Sequence, residues 1–137
     1  MKRALMKHAP VALLLACALT SPQASALDRL SGVYRPVGDA AAGMPVGGEL
    51  RVTAEGRGWL ARFRGEGLAL LPVTGLELAG LFPGVAPEAG LQCAVSPAFL
   101  LCSVAPGTRF EDKDFTSTTG YFTAVSDSGI FEMQRVD

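Results

Sequence analysis

Histidine is nearly absent from this chain. Its one copy, His8, lies among the first ten residues. A Ser-His-Asp or Cys-His nucleophile, a His-ligated zinc centre and a histidine pH switch are therefore excluded from everything downstream. Lysine is almost as scarce: beyond residue 26 only Lys113 remains, and no S-x-x-K precedes it, so a lysine-activated serine is excluded too. There is no C-x-x-C pair, which argues against a catalytic thiol couple. Gly56-x-Gly58 and Gly65-x-Gly67 lack the strand-turn-helix setting of a nucleotide loop and read as hairpin turns. Charged residues make up 18% and aromatic residues 7%, too few for a disordered polyanion or a basic nucleic-acid binder. Neither a cofactor nor a metal is implied.

The chain has 137 residues, room for one domain. Residues 1–26 read as an export signal. Lys2, Arg3 and Lys7 form a positive start, 11–19 (VALLLACAL) form an apolar run too short to span a bilayer comfortably, and Ala24-Ser25-Ala26 is an A-x-A cleavage pattern. The rival reading is a lipobox-like Leu14-Leu15-Ala16-Cys17 with Cys17 lipidated. The expected location is periplasmic or secreted, or lipid-anchored under the rival reading. Residues 27–137 then form the folded domain, with nine basic residues against thirteen acidic ones and a net charge of −4. That balance, with eight of the nine cations arginine, argues against nucleic acid as a partner. No transmembrane segment is expected in this part of the chain.

Strand patterns are short, turn signals frequent and helical periodicity nearly missing. Residues 31–36 (SGVYRP) read as a first strand. Leu50, Val52 and Ala54 alternate with polar neighbours, and Trp59, Ala61 and Phe63 form the next apolar face. Between them Gly56 and Gly58 are expected to take positive φ, and 64–67 turns the chain again before a strand that Pro72 stops. Residues 76–78 read as a short strand, with one helical turn over 76–82 as the alternative. Two hairpins follow. A turn at Pro97-Ala98 pairs Cys93 with Cys102 and Val95 with Leu100, and places Leu91, Cys93, Val95, Leu100, Cys102 and Val104 on one apolar face. A cross-strand disulfide is expected there, as an export signal permits. A turn centred on Asp127-Ser128 pairs Phe122 with Met133 and Ala124 with Phe131; that face also carries Arg135. Between the hairpins, 105–119 is a polar connection that Phe110 and Phe115 pin to the core. Glu111, Asp112, Lys113 and Asp114 in it read as a solvated loop; an EF-hand count from Asp112 fails at Ser117 and Thr123.

The fold class expected is all-β: a small antiparallel up-and-down barrel, or barrel-like sandwich, of about eight short strands. Gly32-Val33-Tyr34 at the first strand and Arg135 in the last resemble the ends of the calycin superfamily. There, lipocalin-like barrels begin with Gly-x-Trp, covered by a basic residue from the final strand. The resemblance implies a structural seam in which Arg135 packs against Tyr34. It also implies a carrier of a small apolar ligand in a shallow barrel cavity. A second likeness, to small periplasmic barrels that inhibit lysozymes or shield envelope enzymes, implies a non-enzymatic protein binder. That binder, with an envelope protein as partner and inhibition of a cell-wall enzyme as one form of its work, is the favoured expectation; the carrier is the alternative. The candidate binding surface is Leu76, Leu78, Leu81 and Phe82, with Arg57, Arg62 and Arg64 as a basic patch.

Overall fold

A computed structural model describes residues 28–38 and 48–137. The expected leader, its cleavage site and Cys17 lie outside the described residues. Among the described residues ten strands form: β1 Gly32–Pro36, β2 Leu50–Glu55, β3 Gly58–Phe63, β4 Glu66–Pro72, β5 Gln92–Val95, β6 Leu100–Ser103, β7 Thr108–Phe110, β8 Phe115–Ser117, β9 Tyr121–Val125 and β10 Gly129–Arg135. Eight of them close an antiparallel barrel in the order β1-β10-β9-β6-β5-β4-β3-β2, while β7 and β8 pair as a separate hairpin inserted between β6 and β9. Chain neighbours are barrel neighbours, so the up-and-down expectation holds. Closure at β1–β10 removes the unpaired edges that an open sheet would expose.

The barrel interior follows the period-2 patterns. Leu50 and Val52 of β2, Trp59 and Ala61 of β3, Leu70 of β4, Ala94 of β5, Leu101 of β6 and Met133 of β10 pack together with Leu30 and Tyr34. None of these side chains is more than 8% exposed, so side chains fill the barrel axis.

A second apolar cluster lies outside the barrel wall. Cys93, Cys102 and Phe122 point outward from β5, β6 and β9 and are covered by Phe82, Phe110 and Val104. The β5–β6 register is the expected one, Cys93 opposite Cys102 and Val95 opposite Leu100, and the disulfide is present. The face it lies on is the outer one; Ala94 and Leu101 are its inward neighbours. In loop-closure terms a bridge across so short a loop contributes about 2–3 kcal/mol. Urea unfolding of a Cys93→Ala/Cys102→Ala double variant is expected to show that loss with the barrel signal retained at low denaturant. A loss near zero would mean that packing alone closes the hairpin.

Three expectations need correction. Residues 76–78 are not a strand: Gly75–Leu81 is a helix, α1, whose Thr74 cap accepts from the Glu77 amide while the Glu77 carboxylate accepts from the Thr74 amide. That backbone donor holds the Glu77 carboxyl below its ordinary range. The β9–β10 register is shifted by one residue: Phe131 opposes Thr123 and Met133 opposes Tyr121, with Phe122 opposite Glu132. The turn spans three residues, with Asp127 at φ +68° and Gly129 at φ +110°, rather than two. Tyr121, Thr123 and Val125 therefore face inward and Phe122 faces out. Finally, only Gly56 of the β2–β3 turn takes positive φ. Gly58 serves a close approach: a Cβ there would lie 2.1 Å from the Leu70 carbonyl oxygen.

Candidate functional site

The two barrel ends differ. At one end the residues before β1 form a plug. Asp28 Oδ1 accepts from the Leu30 and Ser31 amides and, at 2.9 Å, from the Trp59 indole; Oδ2 accepts from the Ser31 hydroxyl at 2.6 Å. Partial burial pushes the Asp28 carboxyl up, but these donors outweigh it and hold it below the usual range. Leu30, fully buried, is thereby set over the barrel axis, and the Tyr34 hydroxyl donates to its carbonyl at 2.7 Å. Arg29 ties the plug to the loop before β5 through the Gly90 carbonyl, 2.9 Å.

Tyr34 and Arg135 stand opposite each other where the first and last strands meet. The aromatic neighbour of Tyr34 is Tyr121, edge-on with centroids 5.2 Å apart. The Arg135 guanidinium is engaged by the Tyr121 hydroxyl and by Asp137, with Nε 3.0 Å from Oδ1, and both contacts favour its charged form. Burial pushes the Tyr34 hydroxyl up, so it stays protonated and donating. A Cβ on Gly32 would meet Arg135 Nε at 2.8 Å, which explains the glycine two residues before Tyr34: the arginine lies across it.

The other end carries the short β3–β4, β5–β6 and β9–β10 turns. Outside its lip runs a groove of about 410 Å³, lined by Leu81, Val95, Phe99, Leu100, Val125 and Ile130 among others. Its floor is one row of the sheet. Val95, Leu100, Ala124 and Ile130 pair in succession across β5, β6, β9 and β10, so all four point to the same outer side, and Leu71 of β4 extends the row beyond the groove. Leu71 is 61% exposed and Val95 41%, an apolar row left open to solvent. Phe99 and Val125 join the groove to the interior cluster. Lys113 closes one side, its ammonium 5.6 Å from the Phe82 ring centre and 2.8 Å from Asp112 Oδ2.

Of the sequence candidates, Leu81 and Phe82 reach this groove. Leu76 is exposed on α1, and Leu78 packs onto the outer cluster. Arg57, in the β2–β3 turn, is at the opposite end of β3 from Arg62 and Arg64, so the three do not form one patch. Val95, Leu100, Ala124 and Ile130 were not legible as a site, because each comes from a different strand.

Among the described residues, Thr123 Oγ1 is the buried side-chain polar atom without a hydrogen-bond partner. It faces the barrel interior between Leu101 and Phe131. Thr123→Val is therefore expected to raise the unfolding free energy by about 1 kcal/mol in thermal or urea unfolding. A loss of stability would mean that a water satisfies the hydroxyl.

Among the described residues, no group of three or more His, Cys, Asp or Glu is placed to hold a metal ion, and no helix is long and apolar enough to cross a membrane. The fold is a closed eight-stranded antiparallel barrel with an apolar groove on its outer wall. No protein-family model, curated protein or solved structure matches the chain.

Proposed function

We propose that this chain is an exported, non-enzymatic barrel that carries a small apolar ligand, held in the outer-wall groove. The groove itself carries the reading. Its volume, about 410 Å³, lies within the range of small-molecule sites, and its floor is apolar side chains from four strands. The barrel axis is a poorer place for a ligand, because its side chains are already packed. The closed barrel and its plugged end support the calycin likeness at the level of architecture. The Cys93–Cys102 bridge suits an oxidising compartment, which supports export to the periplasm or beyond. No feature of the groove favours an enzyme inhibitor over a carrier.

The test is a fluorescence titration with N-phenyl-1-naphthylamine, a neutral apolar probe. The wild-type chain is expected to bind it. Ala124→Trp, which fills the groove floor without touching the interior, is expected to weaken binding by about tenfold or more. Absence of binding by the wild-type chain would overturn the carrier reading. Unchanged binding by Ala124→Trp would overturn the site.

A further inference from the structure

The wall diametrically opposite the groove carries a different chemistry. In the barrel order β2 lies across from β6, and β3 across from β9. On this wall Arg51 of β2 stands directly opposite Arg62 of β3, a like-charge cross-strand pair that costs stability unless something else accounts for it. Arg35 on β1 and Arg64 in the β3–β4 turn flank the pair. One carboxylate, Glu49, serves the group: it lies 3.2 Å from Arg35 and 3.4 Å from Arg51. Among the described residues, Arg62 and Arg64 have no ion-pair partner. Four guanidinium groups thus gather about one ion-paired carboxylate, on a domain whose net charge is −4; Glu55 ends β2 and Glu66 opens β4.

The geometry leaves these groups available. Arg35 and Arg51 keep 63% and 58% of their side-chain surface exposed although paired. Next to Arg62 on β4 stands Gly67, whose missing side chain leaves the guanidinium uncovered: a Cβ there would lie 3.8 Å from Nη1. The acidic groups Glu77, Glu111, Asp112 and Asp114 sit on α1 and on the turn joining β7 and β8, away from this wall.

We infer that the β1–β3 wall docks an acidic segment of a partner protein, its carboxylates taking up Arg62 and Arg64 and extending the Arg35–Glu49–Arg51 group. Planar guanidinium forks match carboxylates with two parallel hydrogen bonds, and all four cations here are arginine rather than lysine. A bilayer is the weaker fit. None of the exposed large apolar side chains among the described residues lies on β1, β2 or β3, so nothing on this wall would insert among lipids. A few arginines without such an anchor hold a membrane surface weakly. The surface is separate from the groove, and each can fail without the other.

The test uses the full chain and immobilised poly-L-glutamate in low salt. The wild-type chain is expected to bind, and binding to fall as salt is raised. Arg62→Glu/Arg64→Glu is expected to weaken it by about tenfold or more, with Arg62→Gln/Arg64→Gln intermediate. The charge-matched control Arg57→Glu/Arg109→Glu, altered at the far end of β3 and on the β7–β8 hairpin, is expected to change it by less than about threefold. Unchanged N-phenyl-1-naphthylamine binding or, should that probe not bind, an unchanged melting curve would show each variant folded. The inference is overturned if the wild-type chain does not bind or if the control loses as much as the wall variant. It is also overturned if phosphatidylglycerol vesicles or a DNA duplex capture the chain more tightly than polyglutamate does.

Discussion

Truncating Phe122 to alanine is expected to lower the unfolding free energy by about 3–5 kcal/mol, a large share of what a domain of this size possesses. The ring is fully buried although it points away from the barrel axis. It meets Phe110 at 5.1 Å, Phe115 at 5.4 Å and Phe82 at 5.7 Å between centroids, and it stands opposite Cys102 on the neighbouring strand. Those three rings come from the β7–β8 hairpin and the end of α1, both outside the barrel wall. Phe122 is therefore the post to which both insertions are fastened. The variant should lose stability through their undocking, with hydrogen exchange rising first around residues 74–91 and 105–119 and later in the eight-stranded ring. Leu76→Ala, on the exposed side of α1, is expected to change stability by less than about 0.5 kcal/mol. A Phe122→Ala loss below about 1 kcal/mol in urea unfolding would mean that the outer cluster is not a packed core.

The same residue shows where sequence reasoning stops. Phe122 sits in a strand whose two faces are both apolar, so alternation alone cannot say which face is inward. The turn has to decide, and Ser126-Asp127-Ser128-Gly129 accommodates either a two-residue or a three-residue connection. One residue of slip exchanges every side chain between core and exterior. At 93–102 the ambiguity is smaller, because Pro97-Ala98 fixes the turn and the two cysteines fix the pairing. There the register was legible, but the side was not, since a covered outer wall is apolar too. Strands β2 and β3 face solvent outside, and their interior residues could be read directly: Leu50, Val52, Trp59 and Ala61 are buried as their alternation requires. The helix had a readable signal in Thr74-x-x-Glu77, a capping box ahead of an apolar run. The groove had none. Its floor takes one residue from each of four strands, and Arg51 meets Arg62 only once the β2–β3 register is known. Local pattern reports elements and their faces; surfaces built across strands need the closed barrel.

Glu132 is expected to be the most costly charged residue to remove: Glu132→Ala should lower the unfolding free energy by about 2–4 kcal/mol. Its carboxylate points outward from β10, opposite Phe122, and gathers the segment that enters β9. It accepts from the Ser117 hydroxyl at 2.6 Å, the Thr118 amide at 2.7 Å and the Thr119 hydroxyl at 2.9 Å, with the Thr118 hydroxyl at 3.2 Å. Ser117 is fully buried and its oxygen in turn accepts from the Gly120 amide at 3.1 Å, so the chain of bonds reaches the start of β9. Gly120 is held at φ +89° with the Val104 carbonyl 2.6 Å from where a Cβ would be, which leaves this corner no room to shift. Removing the carboxylate strands a buried hydroxyl and a backbone N–H together, and an unmade bond costs more than a made one contributes. Glu132→Gln separates geometry from charge. The amide oxygen can keep the Thr118 N–H, while its NH₂ turns the Ser117 and Thr119 hydroxyls into acceptors, so about 1 kcal/mol should be lost. Urea unfolding of both variants, with hydrogen exchange at the Thr118 and Gly120 amides, reads the difference. Equal losses would place the effect in the charge; a negligible loss in Glu132→Ala would mean that water replaces the carboxylate and that the β8–β9 corner is held by Phe110 and Phe115 alone.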